Sequence, residues 1–459
     1  MSKGKRHFAD KLRPNAAKPR AVPDATPHLV EITKALYGGQ FLARLEGKAV
    51  FVPLTLPGEQ VRVRITEEKK SYSVAEPAET VLLSADRTTP SCQHFGVCGG
   101  CSYQHALYEA QLAMKESILR ETLARGGVTP TDSIDLLAAN PWAYRNRIRL
   151  GVDAKGNPGY RGRRSHAIVP ISECPIAAPA LVSAAEMIAD VCRTARPPLR
   201  LNEVSLFCNC DESAMLVTLF TEGTDGNPSQ RGLEPIFRDL AERIPALKGV
   251  EVVEEASGHG PARSFAQWGD SSIEYQAGGF DYRVDQGAFF QVNRWLIDTL
   301  IDRVVAKHKG AVALDLFAGV GLFARQLTKS FAKVVAVESA PAALAPLEAN
   351  LEGTGGSAVR ATTLEFLRRA VQPGKLASAF EKPELVIVDP PRTGLGPEVT
   401  ALLGQFAPDT IVYVSCDPAT LGRDLRALLG AGYSIDSIAL ADLFPQTYHL
   451  ESIVKLHHS

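Results

Sequence analysis

The sequence predicts a doubly wound α/β sheet over residues 276–459, preceded by a central α+β region and, ahead of that, a small all-β barrel. Three observations carry this reading. Beyond Leu296, short and almost wholly apolar runs alternate with helical patterns. Between Leu29 and Ala85 the residues alternate in strand fashion between glycine turns. The stretch joining the two is marked by grouped cysteines and arginine-rich strands. Uninterrupted apolar strands separated by helices indicate a parallel sheet covered on both faces, whereas strict alternation broken by Gly and Pro-Gly pairs indicates half-buried antiparallel strands.

The 459 residues suffice for about three domains of roughly 150 residues. The expected division is a basic disordered arm (1–22), the barrel (23–85), the central region (86–275) and the α/β domain (276–459). With 45% hydrophobic and 22% charged residues, the composition excludes disordered, collagenous and membrane classes. No run approaches the ~18 apolar residues of a membrane helix, and Asp24 with its neighbouring prolines interrupts any signal-peptide core. The expected location is cytoplasmic, with no membrane and no obligate protein partner. The net charge of −1 hides an asymmetry, because residues 1–20 carry seven Lys or Arg and a single acid, Asp10. Such an arm is either a solvated tail or a tether to nucleic acid.

In chain order, the barrel strands are expected at Val30-Glu31-Ile32, Phe41 to Leu45, Ala49 to Pro53 and Val61 to Ile65, with turns at Gly38-Gly39, Glu46-Gly47 and Pro57-Gly58. The last strand runs into Glu67-Glu68-Lys69-Lys70-Ser71-Tyr72, where lysines beside an aromatic suit either single-stranded nucleic acid or plain solvent. A helix follows from Ala106 to Arg125. Tyr144 to Leu150 then alternates charged and apolar residues, and Tyr160 to Arg164 follows a Gly-Asn-Pro-Gly turn. This hairpin is either a basic face for a phosphate backbone or a charged edge strand. The α/β strands are Val312 to Phe317, Val334 to Glu338, Leu385 to Asp389 and Ile411 to Ser415.

Five constellations carry chemistry. Asp315-Leu316-Phe317-Ala318-Gly319-Val320-Gly321 is a glycine turn at a strand's carboxyl end, and Glu338, closing the next strand, is an acid placed to take a ribose hydroxyl pair. Asp389-Pro390-Pro391-Arg392 fixes an acceptor at the cleft, the prolines stiffening the chain. Cys416, in Val-Ser-Cys-Asp-Pro, is a candidate nucleophile that needs a partner for its proton. Glu451 and His449, near the end of the chain, are candidate bases. Eight cysteines in a reducing compartment are ligands, nucleophiles or core residues rather than disulfides. Cys92-x5-Cys98-x2-Cys101, completed by Cys174, offers four thiolates to zinc or to an iron-sulfur cluster, while Cys208-x-Cys210 lies in a strand and reads as structural.

Together these motifs resemble the uracil-5 RNA methyltransferase family over almost the whole chain. Phe51-Val52-Pro53 and Pro57-Gly58-Glu59 resemble a TRAM domain, and Phe290-Gln291-Val292-Asn293 resembles the segment that precedes the family's cofactor fold. The resemblance implies a Rossmann-like methyltransferase sheet, an OB-like TRAM barrel, and S-adenosyl-L-methionine and [4Fe-4S] as cofactors. It implies Gln291, Phe317, Gly319, Glu338 and Asp389 at the cofactor, Cys416 as nucleophile and Glu451 as base, with Cys92, Cys98, Cys101 and Cys174 holding the cluster. The product would be 5-methyluridine in RNA, ribosomal (23S type) in preference to transfer RNA; a non-catalytic iron-sulfur RNA-binding protein is the rival of another class. Arg392 stands where amino-group methyltransferases carry a stacking aromatic, which argues against N-methylation. Leu322 replaces a common asparagine, and Thr362 or Thr363 stands where an acid or amide usually meets the adenine.

Overall fold

The computed structural model describes residues 26–195, 199–222, 230–255, 263–305, 307–372 and 382–458; the basic arm lies outside them. The described residues form two compact units, one of residues 26–34 and 40–85, the other of Ala35–Gly39 with residues 86–458.

In the first unit β1 (His28–Leu36), β2 (Gln40–Leu45), β3 (Lys48–Pro53), β4 (Gln60–Glu68) and β5 (Tyr72–Leu82) close a barrel in the order β1-β2-β3-β5-β4. The alternation seen in the sequence becomes its inside and outside, with Val30, Ile32, Phe41, Val61 and Val63 buried. Gly58 sits at φ +82 and its N–H donates to the Ile32 carbonyl, while the buried Glu59 carboxylate accepts from Leu56 N at 2.8 Å. The Pro-Gly-Glu turn thus ties β4 back to β1. The eleven-residue β5 lies within the expected bounds of the barrel but follows the last strand that the sequence picked out. Pro77 inside it and the exposed Val81 and Leu82 at its end blur the alternation. The Lys69 ammonium is paired to Glu67 at 2.5 Å, so the lysine pair is less cationic than its sequence suggests.

The second unit begins its regular structure with α1 (Tyr108–Arg125), β6 (Asp135–Leu137), β7 (Arg147–Val152), β8 (Pro158–Arg161), β9 (Ile168–Pro170) and α2 (Pro179–Thr194). It continues with β10 (Leu201–Cys208), β11 (Met215–Glu222), α3 (Gln230–Arg243), β12 (Leu247–Glu255) and β13 (Arg263–Gly269). Strands β13-β12-β11-β10-β7-β8-β9 make one sheet. The alternate residues Ile148, Leu150, Val204, Leu206, Val217 and Leu219 form a core with α2 and α3. The arginine-rich β7 is therefore an interior strand, hydrogen-bonded to β10 and β8, and the edge-strand reading falls. A hairpin of β14 (Ser272–Ala277) and β15 (Phe280–Asp285) follows.

The remaining elements are α4 (Ile297–Val305), β16 (Gly310–Leu316), α5 (Leu322–Leu327), β17 (Phe331–Glu338), α6 (Pro341–Leu351), β18 (Gly356–Arg360) and α7 (Thr363–Ala370). They end with β19 (Leu385–Val388), α8 (Gly396–Phe406), β20 (Thr410–Ser415), α9 (Pro418–Gly430), β21 (Tyr433–Ala441) and β22 (Glu451–His458). The sheet order is β18-β17-β16-β19-β20-β22-β21-β6, parallel through β20, with β22 antiparallel to β20. Chain order reverses between β16 and β19, so the crevice at their carboxyl ends is the place where such a sheet binds ligands.

The segment leading into β22 is clamped from the central region. Lys115 of α1 and Asp442, both fully buried, form an ion pair at 2.5 Å, and the same ammonium donates to the Phe444 carbonyl at 2.9 Å. Gln111 bonds to Gln446 through both its amide groups, and Ser102 and Tyr103 donate to the Gln446 carbonyl. Gln446 itself adopts φ +67, a conformation that these bonds over-determine. Replacing Lys115 with Met leaves a buried carboxylate without its cation. The expected loss is about 3–5 kcal/mol, measured as a lowered midpoint in chemical denaturation.

Among the described residues, no helix is long and apolar enough to cross a membrane.

Candidate active site

Strand β16 ends in the glycine turn, whose backbone follows from its residues. Phe317, Gly319 and Gly321 all have positive φ, +68, +55 and +88. For Phe317 this is strain held at a cleft. A Cβ on Gly321 would also come within 2.7 Å of Leu347, so only glycine fits there. The Glu338 carboxylate accepts from Gly319 N at 2.8 Å and from Ser339 N and Ala340 N at 2.6 Å, holding it at the mouth of the turn. Asp315 is fully buried. One of its oxygens accepts from Ala324 N at 2.9 Å, the other has no partner, and burial pushes its pKa up to about 7.

The crevice beside this turn is lined by Phe289, Gln291, Phe317, Gly319, Leu322 and Asp389, among others. Four of the five cofactor residues expected from the sequence therefore share one cleft, and the fifth, Glu338, accepts from the backbone of one of them, Gly319. Gln291 Nε2 lies 3.5 Å from Asp389 Oδ2. A glycine turn, an apolar floor and a carboxylate at the end of the next strand suit an adenosine-bearing cofactor. Phe289, 62% exposed and facing this cleft, carried no pattern in the sequence. Thr362 is committed elsewhere: its hydroxyl and Glu365 form a reciprocal capping box on α7. The capping signature Thr-x-x-Glu was present in the sequence and explains this.

The nucleophile candidate sits at the next strand end. Asp417 caps α9 by accepting from Ala419 N and Thr420 N at 3.0 and 2.9 Å, and Pro418 opens that helix. Cys416 is thereby fixed at the strand-to-helix corner. The antiparallel register pairs Ser415 with Ser452 and so brings Cys416, one residue on, beside Glu451, one residue back. Their electrostatics agree. Burial pushes the Cys416 thiol up to about 12, with Glu451 and then Asp389 adding to the rise and Arg392 opposing it. Glu451, 5% exposed, is raised well above the usual carboxylate range by burial and by Asp389, again opposed by Arg392. Asp389 is raised by burial to about 7.

Arg392 Nη2 lies 3.1 Å from His449 Nδ1. Burial, Arg392, Lys115 and Arg145 push the imidazole down to about 4, so it is neutral near pH 7 and accepts from Arg392. An imidazole with so low a pKa is a weak proton acceptor at neutral pH. Tyr37, which the sequence did not single out, donates to the Cys416 carbonyl at 3.2 Å and meets Tyr448 edge to face at 5.9 Å.

With Cys416 as nucleophile and Glu451 as base, the roles the sequence resemblance implies, both groups would have to lose a proton, and kcat/KM should then climb with pH through and beyond neutrality. Arg392→Met removes a cation that lowers both groups, and the rising limb moves to higher pH. A pH profile of the variant that coincides with wild type would show that Arg392 lies outside their field.

The four remaining motif cysteines are neighbours. Burial raises Cys98, Cys101 and Cys174, and each of the three also feels other thiols of the set, Cys92 among them. Gly100 N donates to the Cys98 sulfur at 3.4 Å, and the Cys174 sulfur accepts from the N–H groups of Ile176 and Ala177. Nevertheless, among the described residues no group of three or more His, Cys, Asp or Glu is drawn close enough to hold a metal ion. Cys208 is buried in the central sheet, as expected of a structural residue.

A crevice at the switch point, a strained glycine turn and the β20-β22-β21 ending of the sheet are those of a class I S-adenosylmethionine-dependent methyltransferase. The comparisons narrow this. Residues 267–459 match the family model "tRNA (Uracil-5-)-methyltransferase", and residues 29–78 match the TRAM domain. A Klebsiella pneumoniae protein named 23S rRNA (uracil(1939)-C(5))-methyltransferase RlmD is 33% identical over 426 residues, 91% of this chain and 92% of that one. A Halomonas elongata protein of the same name is 31% identical, covering 92% and 88%. The Pyrococcus abyssi tRNA (uracil-54, C5)-methyltransferase, solved with S-adenosyl-L-homocysteine, shares the fold with a TM-score of 0.71 at 24% identity, covering 93% of this chain and 100% of that one. This chain belongs to the uracil-5 RNA methyltransferase family, and it is an enzyme that methylates uracil in RNA at carbon 5.

Proposed function

We propose that this protein methylates a uridine of 23S ribosomal RNA through a covalent adduct, with Cys416 as nucleophile and Glu451 as base. The observation that carries the mechanism is the register of β20 on β22, which sets thiol and carboxylate side by side at the cleft. The relatives named for 23S RNA favour ribosomal over transfer RNA, and that substrate implies the cytoplasm.

When bound, S-adenosylmethionine supplies an electrophilic methyl group. The residues that would hold it are Gln291, Phe317, Gly319, Glu338 and Asp389. Carbon 5 of uracil is a weak nucleophile, so Cys416 Sγ first bonds to carbon 6, its proton passing to a neighbouring carboxylate. The electron pair of the ring double bond is thereby made available at carbon 5, which forms the new carbon-carbon bond. Glu451 then takes the proton from carbon 5, the double bond re-forms and the sulfur leaves carbon 6. The burial that raises Glu451 makes its carboxylate a stronger base than an exposed one. Arg392 keeps that gain from locking the proton in place.

The working division has the barrel (23–85) and the arginine strands contact RNA, 86–275 carry the cluster and 276–459 perform the chemistry. The donor set of Cys92, Cys98, Cys101 and Cys174 suits a [4Fe-4S] cluster, whose thiolates would be stabilised by the N–H groups already directed at Cys98 and Cys174. Binding releases their protons and supports the cysteine loop, from which Ser102 and Tyr103 reach the segment before Glu451. Anaerobically purified protein should be brown, with broad visible absorbance; a colourless protein containing zinc would contradict the cluster. Mapping the methylated nucleotide in RNA from cells lacking and regaining this enzyme tests the substrate. Restoration of 5-methyluridine in transfer RNA alone would contradict the ribosomal assignment.

A further inference from the structure

The face of the central sheet opposite α2 and α3 is organised in rows by strand register. Arg147, Phe207 and Leu216 stand opposite one another in one row, Arg149, Ser205, Thr218 and Glu251 in the next, Glu203, Phe220 and Val253 in the third. The middle row is short or polar and the outer rows are bulky, which makes a trough. Four residues along each strand separate the outer rows, roughly 13 Å at about 3.3 Å per residue. The trough is roofed at one side by Gln286, whose amide donates to the Val217 carbonyl at 2.6 Å and to the Thr218 hydroxyl at 2.9 Å.

Two polar atoms in this trough are buried with no partner: Nε of Arg147, a donor, and Oε1 of Gln286, an acceptor. Leaving such groups unpaired costs about 1–3 kcal/mol each, so an unmatched pair of opposite sense in one trough calls for a ligand that presents an acceptor and a donor together. The charges narrow the ligand. Arg149 is paired with Glu203, and Asp285 with Arg283 at 2.6 Å, which leaves Arg147 and Glu251 roughly balanced. A bare phosphate would meet Glu251 as well as Arg147, whereas a nucleobase is neutral, flat and carries both senses of hydrogen bond on one edge. Flat surfaces are at hand, since the Arg147 guanidinium lies 4.4 Å over the Phe207 ring and that of Arg149 4.7 Å over Phe220. Bases stack on such aromatic and guanidinium planes.

We propose that this trough seats one unstacked base of the RNA substrate, at a site separate from the cofactor crevice, with Arg147 and Gln286 on the edge of the base and Phe220 against its plane. The inference rests on the RNA methyltransferase reading above. It makes the central sheet a selector of RNA with an unpaired nucleotide near the target, rather than a general phosphate-binding surface.

The test compares wild type, Arg147→Met and Phe220→Ala for RNA affinity by fluorescence anisotropy, for KM and kcat in methylation, and for thermal melting. Loss of one seated base should weaken RNA binding and raise KM by about 5- to 150-fold, the span of one base stack, with kcat at saturating RNA and the melting temperature kept. Phe220 is partly exposed, so Phe220→Ala decides the matter if Arg147→Met melts early. Wild-type affinity and KM in Phe220→Ala together with those of a folded Arg147→Met would overturn the base site and leave the catalytic reading intact. If wild type neither binds nor methylates RNA, both fall.

Discussion

Cys416→Ala should lower turnover to below roughly one ten-thousandth of wild type, the scale on which enzymes lose rate when a covalent nucleophile is removed. The same substitution should abolish any covalent complex with RNA containing 5-fluorouridine. The physical reason is that no other thiol shares the cleft. Cys192 and Cys208 are buried in the core of the central sheet, Cys210 lies against the Arg294 carbonyl, and Cys92, Cys98, Cys101 and Cys174 form a set of their own. Alanine fits without disturbance, because the corner is held by the Asp417 cap and by the Tyr37 hydroxyl on a backbone carbonyl, neither of which uses the sulfur. Binding of S-adenosylmethionine should survive, which separates loss of chemistry from loss of fold. Retained methylation would remove the adduct from the mechanism.

Glu451→Gln should behave differently. The amide keeps the shape of the side chain and cannot take the proton from carbon 5, so addition and methyl transfer proceed while elimination stalls. Steady-state turnover should fall about 10²- to 10⁴-fold, the usual contribution of a positioned base, and the enzyme should accumulate as an RNA adduct stable to denaturing electrophoresis. Free release of methylated RNA at the wild-type rate would transfer the role to another group. The neutral His449 is the nearest candidate in sequence, but a pKa near 4 gives it little hold on a proton.

The fold was legible where a single period dominates. Val30 to Ile65 alternate because one face of each strand lines the barrel, and the runs at 312–316 and 385–388 are continuous because helices cover both faces of their sheet. Strand β5 lost its signal to Pro77 and to outward-facing apolar residues. In the arginine-rich β7 the alternation was visible, but which face would be covered depended on β10, more than fifty residues further along. The candidate site was legible residue by residue and not as an arrangement. Thirty-five residues separate Cys416 from Glu451, and only the pairing of β20 with β22 makes them neighbours. Tyr37 lies on a turn of the first sixty residues and offers no pattern that points to a carbonyl at residue 416. Lys115 and Asp442 read as ordinary charges in the sequence, since complete burial of both is a property of the packed chain. Thr362, by contrast, announced its capping role through Glu365.

The proposed mechanism turns on a transient sulfur-carbon bond between this enzyme and uracil. Wild-type protein incubated with S-adenosylmethionine and 5-fluorouridine-substituted ribosomal RNA, then digested and sequenced by mass spectrometry, tests it most directly. The expected product is a methylated fluorouridine attached to the peptide that contains Cys416. Attachment to any other residue, or efficient methylation of natural RNA with no adduct on the fluorinated one, would contradict it.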